Sequence, residues 1–88
     1  MEKRLKRYRS RIDGIDRRIV RLLKNRYELV QIIGEIKRNE GLAVVQPERE
    51  NEVLERIGRL VQAREIREFV TSVYRAVFRA SYRVEDGR

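Results

Sequence analysis

The stretch YRSRIDGIDRRIVRLLKNRYELVQIIGEI (residues 8–36) decides the fold of this 88-residue chain. Apolar side chains recur along it in steps of three and four, the spacing of one face of an α-helix. This apolar row consists of Tyr8, Ile12, Ile15, Ile19, Leu22, Leu29, Ile33 and Ile36. No proline or other strong stop interrupts the pattern from about residue 2 to 39, so it predicts a first helix of that extent.

The length of this helix predicts a second chain. At 1.5 Å per residue the helix is about 57 Å long, whereas a compact domain of this size has a radius of gyration of about 12 Å. The helix must therefore extend beyond its own protomer. We expect residues 1–88 to form a single small domain that is covered by a partner.

One position in the apolar row is not apolar. The regular spacing predicts that position 26 faces the core, but the residue there is Arg26. An arginine in a packed interior loses much of its hydration unless an anion meets it there. Lys37 follows eleven residues later, about three turns, and so points to the same side of the helix. These two cations are the first candidates for a functional site.

Two shorter helices follow the long one. Gly41 predicts the end of the first helix, and Pro47 predicts the start of the second, which we expect to span about 47–62. The third is expected over about 65–85, with an apolar stripe that includes Val73, Val77 and Phe78. No strand-like alternation occurs, so the predicted fold is all-α. Gly14 and Gly34, both inside the first helix, predict close approaches by neighbouring helices.

The charge of the chain leaves two kinds of partner open. The net charge is +8, with 18 arginines and 4 lysines. Arginine binds planar anions, carboxylate or phosphate, through a two-pronged fork of hydrogen bonds. A basic surface of this kind either binds nucleic acid or steers a small dianion into a pocket.

The composition also excludes several kinds of chemistry. The chain has no cysteine and no histidine, which rules out disulfides, Cys/His metal sites and any Ser-His or Cys-His nucleophile pair. Its five glycines are scattered and form no phosphate-binding loop. No apolar run has the length of a membrane span and no signal peptide opens the chain, so we expect a cytoplasmic protein without membrane contact.

Extending each apolar stripe captures polar residues at or beside core-facing positions. They are four cations, two carboxylates and one hydroxyl: Arg9, Arg26, Lys37, Arg49, Glu50, Glu85 and Ser81. In a generic helical bundle such residues form interhelical salt bridges or extend their charged ends to solvent. A site rich in cations and poor in nucleophiles also suits a multiply charged anion, and a reaction that needs positioning and charge stabilisation.

The order and separation of these motifs resemble the all-helical class of chorismate mutases. The resemblance covers nearly the whole chain: RSRIDGIDRRIVRLLKNRYELVQIIGEIK, then PERENEVLERI after a short loop, then a third helix ending FRASYRVE. It implies an intertwined homodimer of three-helix protomers with two shared active sites. It also implies an isomerase of aromatic amino-acid biosynthesis, in the shikimate pathway, that rearranges chorismate to prephenate without metal or cofactor.

The resemblance assigns the two substrate carboxylates to arginines. Arg9 of the partner chain would bind one carboxylate, and Arg26 of the same protomer the other. Arg9 lies seventeen residues before Arg26, too far to reach the same site along one straight helix. Arg49 would support the carboxylate region.

The remaining implied roles concern the ether oxygen and the ring. Lys37 would hydrogen-bond the ether oxygen, where negative charge develops, and Glu85 would face that oxygen from the opposite side. Glu50 would accept the proton of the ring hydroxyl, and Ser81 would make a polar contact to substrate.

Two positions depart from the family's pattern. Gln46 replaces an aspartate common in the family, which leaves open whether it contacts substrate or caps the helix. Glu85 replaces the glutamine of many bacterial members. A carboxyl group helps there only when protonated, because an anion would repel the developing charge. We therefore predict that activity declines at higher pH.

Three other functions stay open at this point. An isochorismate pyruvate lyase shares the implied fold and much of the cationic site, although such lyases tend to lack the residue equivalent to Glu50. A nucleic-acid-binding helical dimer would use the net charge. A purely structural dimerisation module would leave Arg26 unexplained.

Overall fold

The computed structural model describes residues 2–87, which form three α-helices. These are α1 (Glu2–Glu40), α2 (Pro47–Leu60) and α3 (Arg64–Glu85). The described residues contain no strand, so the prediction of an all-α fold with one long and two shorter helices is confirmed. α2 ends two residues before the expected end because Val61 is extended (φ −127°), although its N–H still bonds the Ile57 carbonyl.

The end of α1 is set by Gly41. Its φ is +68°, in the left-handed region that glycine adopts without steric cost. The Leu42 N–H then reaches the Lys37 carbonyl at 2.8 Å, and the Gly41 N–H reaches the Arg38 carbonyl at 3.4 Å. This pair of bonds is a Schellman motif. The helix therefore stops one turn after Lys37, and the chain turns back over that lysine.

The start of α2 is set by Pro47 at its first turn. Glu48 and Glu50 lie in the same turn, where carboxylates are favoured by the positive end of the helix dipole. Gln46 occupies the N-cap position but makes no side-chain capping bond, which leaves its side chain free to face the neighbouring cavity.

α3 packs against both other helices, and each helix contributes one buried apolar residue to the core. These are Val30, Ile57 and Phe78. The Tyr74 ring meets Phe78 edge-on, with the ring centres 6.1 Å apart. None of the described large side chains is completely buried, so the protomer has a thin core.

The apolar row of α1 is not buried within the protomer. Ile19 is 47% exposed and Leu22 is 65% exposed. α3 instead packs on the face that carries Val30, Gly34 and Lys37. The protomer extends 56 Å along its longest axis. Its radius of gyration is 16.4 Å, against about 12 Å for a compact domain of this length.

Gly34 is the point of closest approach between α1 and α3. A Cβ at this position would lie 2.8 Å from both the Cα and the carbonyl oxygen of Glu85. The predicted close approach is therefore confirmed at Gly34, where it brings the end of α3 onto α1 beside Lys37. At Gly14 no other helix of the described protomer approaches, and a Cβ there would meet only the Arg17 side chain, at 3.6 Å. None of the helices over residues 2–87 has both the length and the apolarity to cross a membrane.

Candidate active site

A cavity of about 360 Å³ lies where the C-terminal half of α1, the start of α2 and the end of α3 meet. Its polar lining combines three cations, two carboxylates and three uncharged groups. These residues are Arg26, Lys37, Arg49, Glu50, Glu85, Gln46, Ser81 and Tyr82. Leu29, Val30, Ile33, Val53 and Phe78 form the apolar wall. The cavity thus brings together seven of the eight residues singled out in the sequence.

Arg26 is oriented by a serine rather than neutralised by an acid. Its Nη1–H donates to Ser81 Oγ, and the Ser81 hydroxyl donates to the Val77 carbonyl at 2.8 Å. No carboxylate among the described residues pairs with Arg26. Most of the guanidinium donors therefore stay available to an anion that enters the cavity.

Lys37 is the buried cation of the site, with 8% of its surface exposed. Its ammonium group donates to the Glu85 carboxylate and, at 2.7 Å, to the Val44 carbonyl. An interhelical salt bridge, the alternative weighed for the core-facing charges, is thus present for this pair in the free protein. A lysine has three N–H donors, so one remains for a ligand.

Glu85 is held in place through its backbone as well as its side chain. Arg38 Nη1–H donates to the Glu85 carbonyl oxygen at 2.5 Å, and Gly34 allows the same backbone to rest on α1. The residue is 6% exposed although it ends α3. The role of Arg38 was not predicted, because a residue that binds a distant carbonyl carries no mark in the sequence.

Glu50 is linked to α3 by Tyr82, whose hydroxyl donates to Glu50 Oε2. Burial, this hydrogen bond and the charge of Glu50 together raise the pKa of Tyr82 to about 12, with a smaller contribution from Glu85; a backbone hydrogen bond from Gln46 opposes the shift. The phenol is therefore protonated at neutral pH. Tyr82 was missed, although it lies four residues after Phe78 and three before Glu85, which is helical spacing for one face.

Arg49 and Gln46 line the α2 side of the cavity. Arg49 faces outward in part: its side chain is 57% exposed and lies 3.4 Å from Glu52 Oε2. Such an exposed pair contributes little and gives way readily to a stronger anion. Gln46 presents an uncharged side chain at the edge of the same cavity.

Arg9 does not line the cavity. It lies on the exposed N-terminal half of α1, about 26 Å along the helix axis from Arg26. Within one protomer it therefore cannot join the other cations, as the spacing in the sequence already implied.

The chemistry of this arrangement follows from its charges. Arg26 and Lys37 offer unpaired donors to an anion, and Glu50 keeps one carboxylate oxygen without a partner among residues 2–87. The same residues hold no cluster of three acidic side chains that could bind a metal ion. The site can bind a small dianion, donate a hydrogen bond to an oxygen that gains negative charge, and accept a hydrogen bond from one hydroxyl group.

Comparison with known proteins places this chain in a family. Residues 8–86 match the family described as chorismate mutase type II. The chain is 50% identical over 56 residues to the bifunctional chorismate mutase/prephenate dehydratase of Aquifex aeolicus, covering 64% of this chain and 16% of that protein. It is 35% identical over 85 residues to the T-protein of Haemophilus influenzae, covering 93% of this chain and 22% of that protein.

A shorter relative is similar over most of its own length. The chorismate mutase of Methanocaldococcus jannaschii is 34% identical over 68 residues, which cover 77% of this chain and 69% of that protein. By contrast, the chain spans only about a fifth of the H. influenzae protein and less of the A. aeolicus one.

Proposed function

This chain belongs to the chorismate mutase type II family, and from that premise we propose that it rearranges chorismate to prephenate. The observation that carries the proposal is the meeting of Arg26, Lys37 and Glu50 around one cavity, each with hydrogen-bonding capacity to spare. The reaction breaks the ether C–O bond and forms a C–C bond within one molecule. It needs no nucleophile, so positioning and charge stabilisation can supply the catalysis.

Arg26 binds one substrate carboxylate in this mechanism. Ser81 holds the guanidinium at the cavity wall and leaves the remaining donors for a two-pronged contact. Arg49 strengthens the same carboxylate region when it exchanges its exposed contact with Glu52 for the substrate.

Lys37 stabilises the ether oxygen as the C–O bond breaks. Its burial strengthens the interaction, because few water molecules screen the charge. Glu85 reaches the same oxygen from α3. In the free protein its carboxylate contacts Lys37, and a substrate oxygen between the two groups is stabilised only when Glu85 carries a proton.

Glu50 accepts a hydrogen bond from the ring hydroxyl of the substrate. Its Oε1 has no partner in the described part of the chain, while Oε2 accepts from Tyr82. The lyase alternative, which would act on isochorismate, has less use for this acceptor, so Glu50 favours the mutase. Gln46 completes the edge of the cavity beside it.

Arg9 completes the site from a second protomer. The protomer exposes 7911 Å², whereas a compact monomer of 10.6 kDa exposes about 5,500 Å². The excess exposed area is within the range of areas that obligate dimer interfaces bury. Every residue of the apolar row of α1 adds to it, since each is between 43% and 65% exposed. An antiparallel partner α1 would cover this row and carry its own Arg9 to the cavity.

The direct test is chorismate turnover with identification of the product. We expect prephenate from the wild type, and a loss of about a hundredfold or more in kcat/KM for Arg26→Ala. Arg79→Ala, which removes an exposed arginine of α3 outside the cavity, is the matched control and should retain activity.

The substrate comparison separates the alternatives. Pyruvate release from isochorismate would indicate the lyase. Turnover of neither compound would indicate a binding or structural dimer, and nucleic acid would then be the next ligand to test. The cytoplasmic location expected from the sequence remains a prediction.

A further inference from the structure

Tyr82 connects two elements of the cavity that have no other hydrogen bond between their side chains over residues 2–87. It lies near the end of α3 and donates its hydroxyl proton to Glu50 Oε2 in the first turn of α2, across a sequence separation of 32 residues. Both residues are partly buried and both line the cavity. Tyr82 also lies beside the backbone of Gln46, the N-cap residue of α2.

This contact limits the freedom of Glu50. A glutamate in the first turn of a helix has several accessible side-chain conformations, and confining it to one costs conformational entropy when a ligand binds. The phenol occupies Oε2 before any ligand arrives, so the carboxylate is already oriented and Oε1 is the oxygen that remains. Restraining a binding group in advance raises the effective concentration of the productive geometry.

We propose that Tyr82 is a positioning residue that orients Glu50 toward the ring hydroxyl of the substrate. This inference rests on the proposed function. Tyr82 makes no contact with the reacting atoms in this role and acts only through the glutamate. A purely structural role, in which the phenol fills space between α2 and α3, makes a different prediction that can be measured.

A double-mutant cycle separates the two roles. Tyr82→Phe keeps the ring and removes the hydroxyl. When Tyr82→Phe is made in the wild-type protein, which retains Glu50, we expect kcat/KM to fall about tenfold, the effect of losing one hydrogen bond to a charged group. Most of that loss should appear in KM, because Glu50 meets the ring hydroxyl in the substrate as well as in the transition state.

The second half of the cycle uses Glu50→Ala. If Tyr82 acts through Glu50, adding Tyr82→Phe to Glu50→Ala lowers kcat/KM no further. The proposal is overturned if Tyr82→Phe lowers kcat/KM equally in the wild type and in Glu50→Ala, or if it does not lower kcat/KM in the wild type. Tyr74→Phe is the matched control, since it removes a hydroxyl from the same helix that has no hydrogen-bond partner in the described chain. It should leave kcat/KM unchanged.

A titration without substrate tests the contact itself. The ultraviolet absorbance of tyrosinate, taken as the difference between wild type and Tyr82→Phe, follows the ionisation of Tyr82 alone among the four tyrosines. Burial and Glu50 together raise the pKa of Tyr82 to about 12. Because Glu50→Gln removes the charge that supplies part of this shift, it should move the transition toward lower pH. An unmoved transition overturns the proposal independently of activity.

The two proposals fail in different ways. A wild type that leaves chorismate unchanged overturns the proposed function, and with it the role of Tyr82, even if the titration reports the contact. A wild type that forms prephenate while the cycle is additive overturns the role of Tyr82 alone.

Discussion

Gly34 of α1 lies directly against the backbone of Glu85, so close that no side chain would fit at position 34. A Cβ on Gly34 would come within 2.8 Å of the Glu85 Cα. The neighbouring turn of α1 carries Lys37, whose ammonium group contacts the Glu85 carboxylate. One missing methyl group therefore determines how closely the acid and the lysine of the proposed site can approach.

The effect of this close approach can be measured with Gly34→Ala. The added methyl must push the end of α3 away from α1, and we expect a loss of about 1–3 kcal/mol in the free energy of unfolding, together with reduced kcat. Denaturant unfolding and chorismate turnover are the measurements.

Gly58→Ala is the control for this substitution. It adds the same methyl to the last turn of α2, where the nearest atom is in the flexible Arg67 side chain, at 3.7 Å. Because alanine is the better helix former, Gly58→Ala should stabilise the protein by up to about 1 kcal/mol. Similar stability changes for both substitutions would contradict the packing argument.

Glu85 predicts a pH-dependent rate. A protonated carboxyl can donate to the ether oxygen and a carboxylate cannot, so kcat of the wild type should fall as the pH rises. The amide of Glu85→Gln donates at every pH, and its kcat should stay level over the same range. We expect the wild type to lose about a hundredfold, the usual effect of one lost donor to a developing oxyanion. Pre-steady-state or saturating-substrate rates across pH provide the test, and coincident profiles would count against it.

Arg9 predicts a shared active site. Arg9→Ala and Arg26→Ala should each be nearly inactive as homodimers, because each leaves one substrate carboxylate without its arginine. In a mixed dimer, one of the two sites contains both wild-type arginines. Mixing the variants under conditions of subunit exchange should therefore restore activity, up to about a quarter of the wild-type value for random pairing. No recovery in heterodimers isolated with two different affinity tags would refute the partner-chain assignment of Arg9.

Tyr82 predicts a specific loss of stability at alkaline pH. Its folded-state pKa is raised from 10.0 to about 12 by burial and by Glu50. Between these values the unfolded chain loses the phenolic proton while the folded chain keeps it, so the unfolded state binds fewer protons and stability falls as pH rises. The contribution is fully present below about pH 10 and is lost through about pH 12.

The measurement is the free energy of unfolding of wild type and Tyr82→Phe at a series of pH values above 9. The two proteins differ only in the hydroxyl group of residue 82, so the difference between their curves isolates Tyr82. We expect the wild type to lose stability relative to the variant across this interval, and parallel curves would show that the phenol is not perturbed.

The elements of this fold could be predicted because their signals are local. The three-and-four spacing of apolar residues, Pro47 at the start of α2 and the left-handed Gly41 act within one or two turns of the backbone. Lys37 and Arg26 were found in the same way, since one continuous helix fixes the angle between them. Ser81 and Glu85 followed from extending the stripe of α3, and their roles came from the family resemblance.

The contacts across helices were decided only by the tertiary structure. The bonds from Arg26 to Ser81, from Lys37 to Glu85 and from Tyr82 to Glu50 join residues 55, 48 and 32 positions apart. They depend on how α3 crosses α1 and meets α2, a geometry set by packing at Gly34, Ile57 and Phe78. Helical periodicity reports which residues share a face. Only the packed helices show which face meets which, because that choice is made by side chains that lie far apart along the chain.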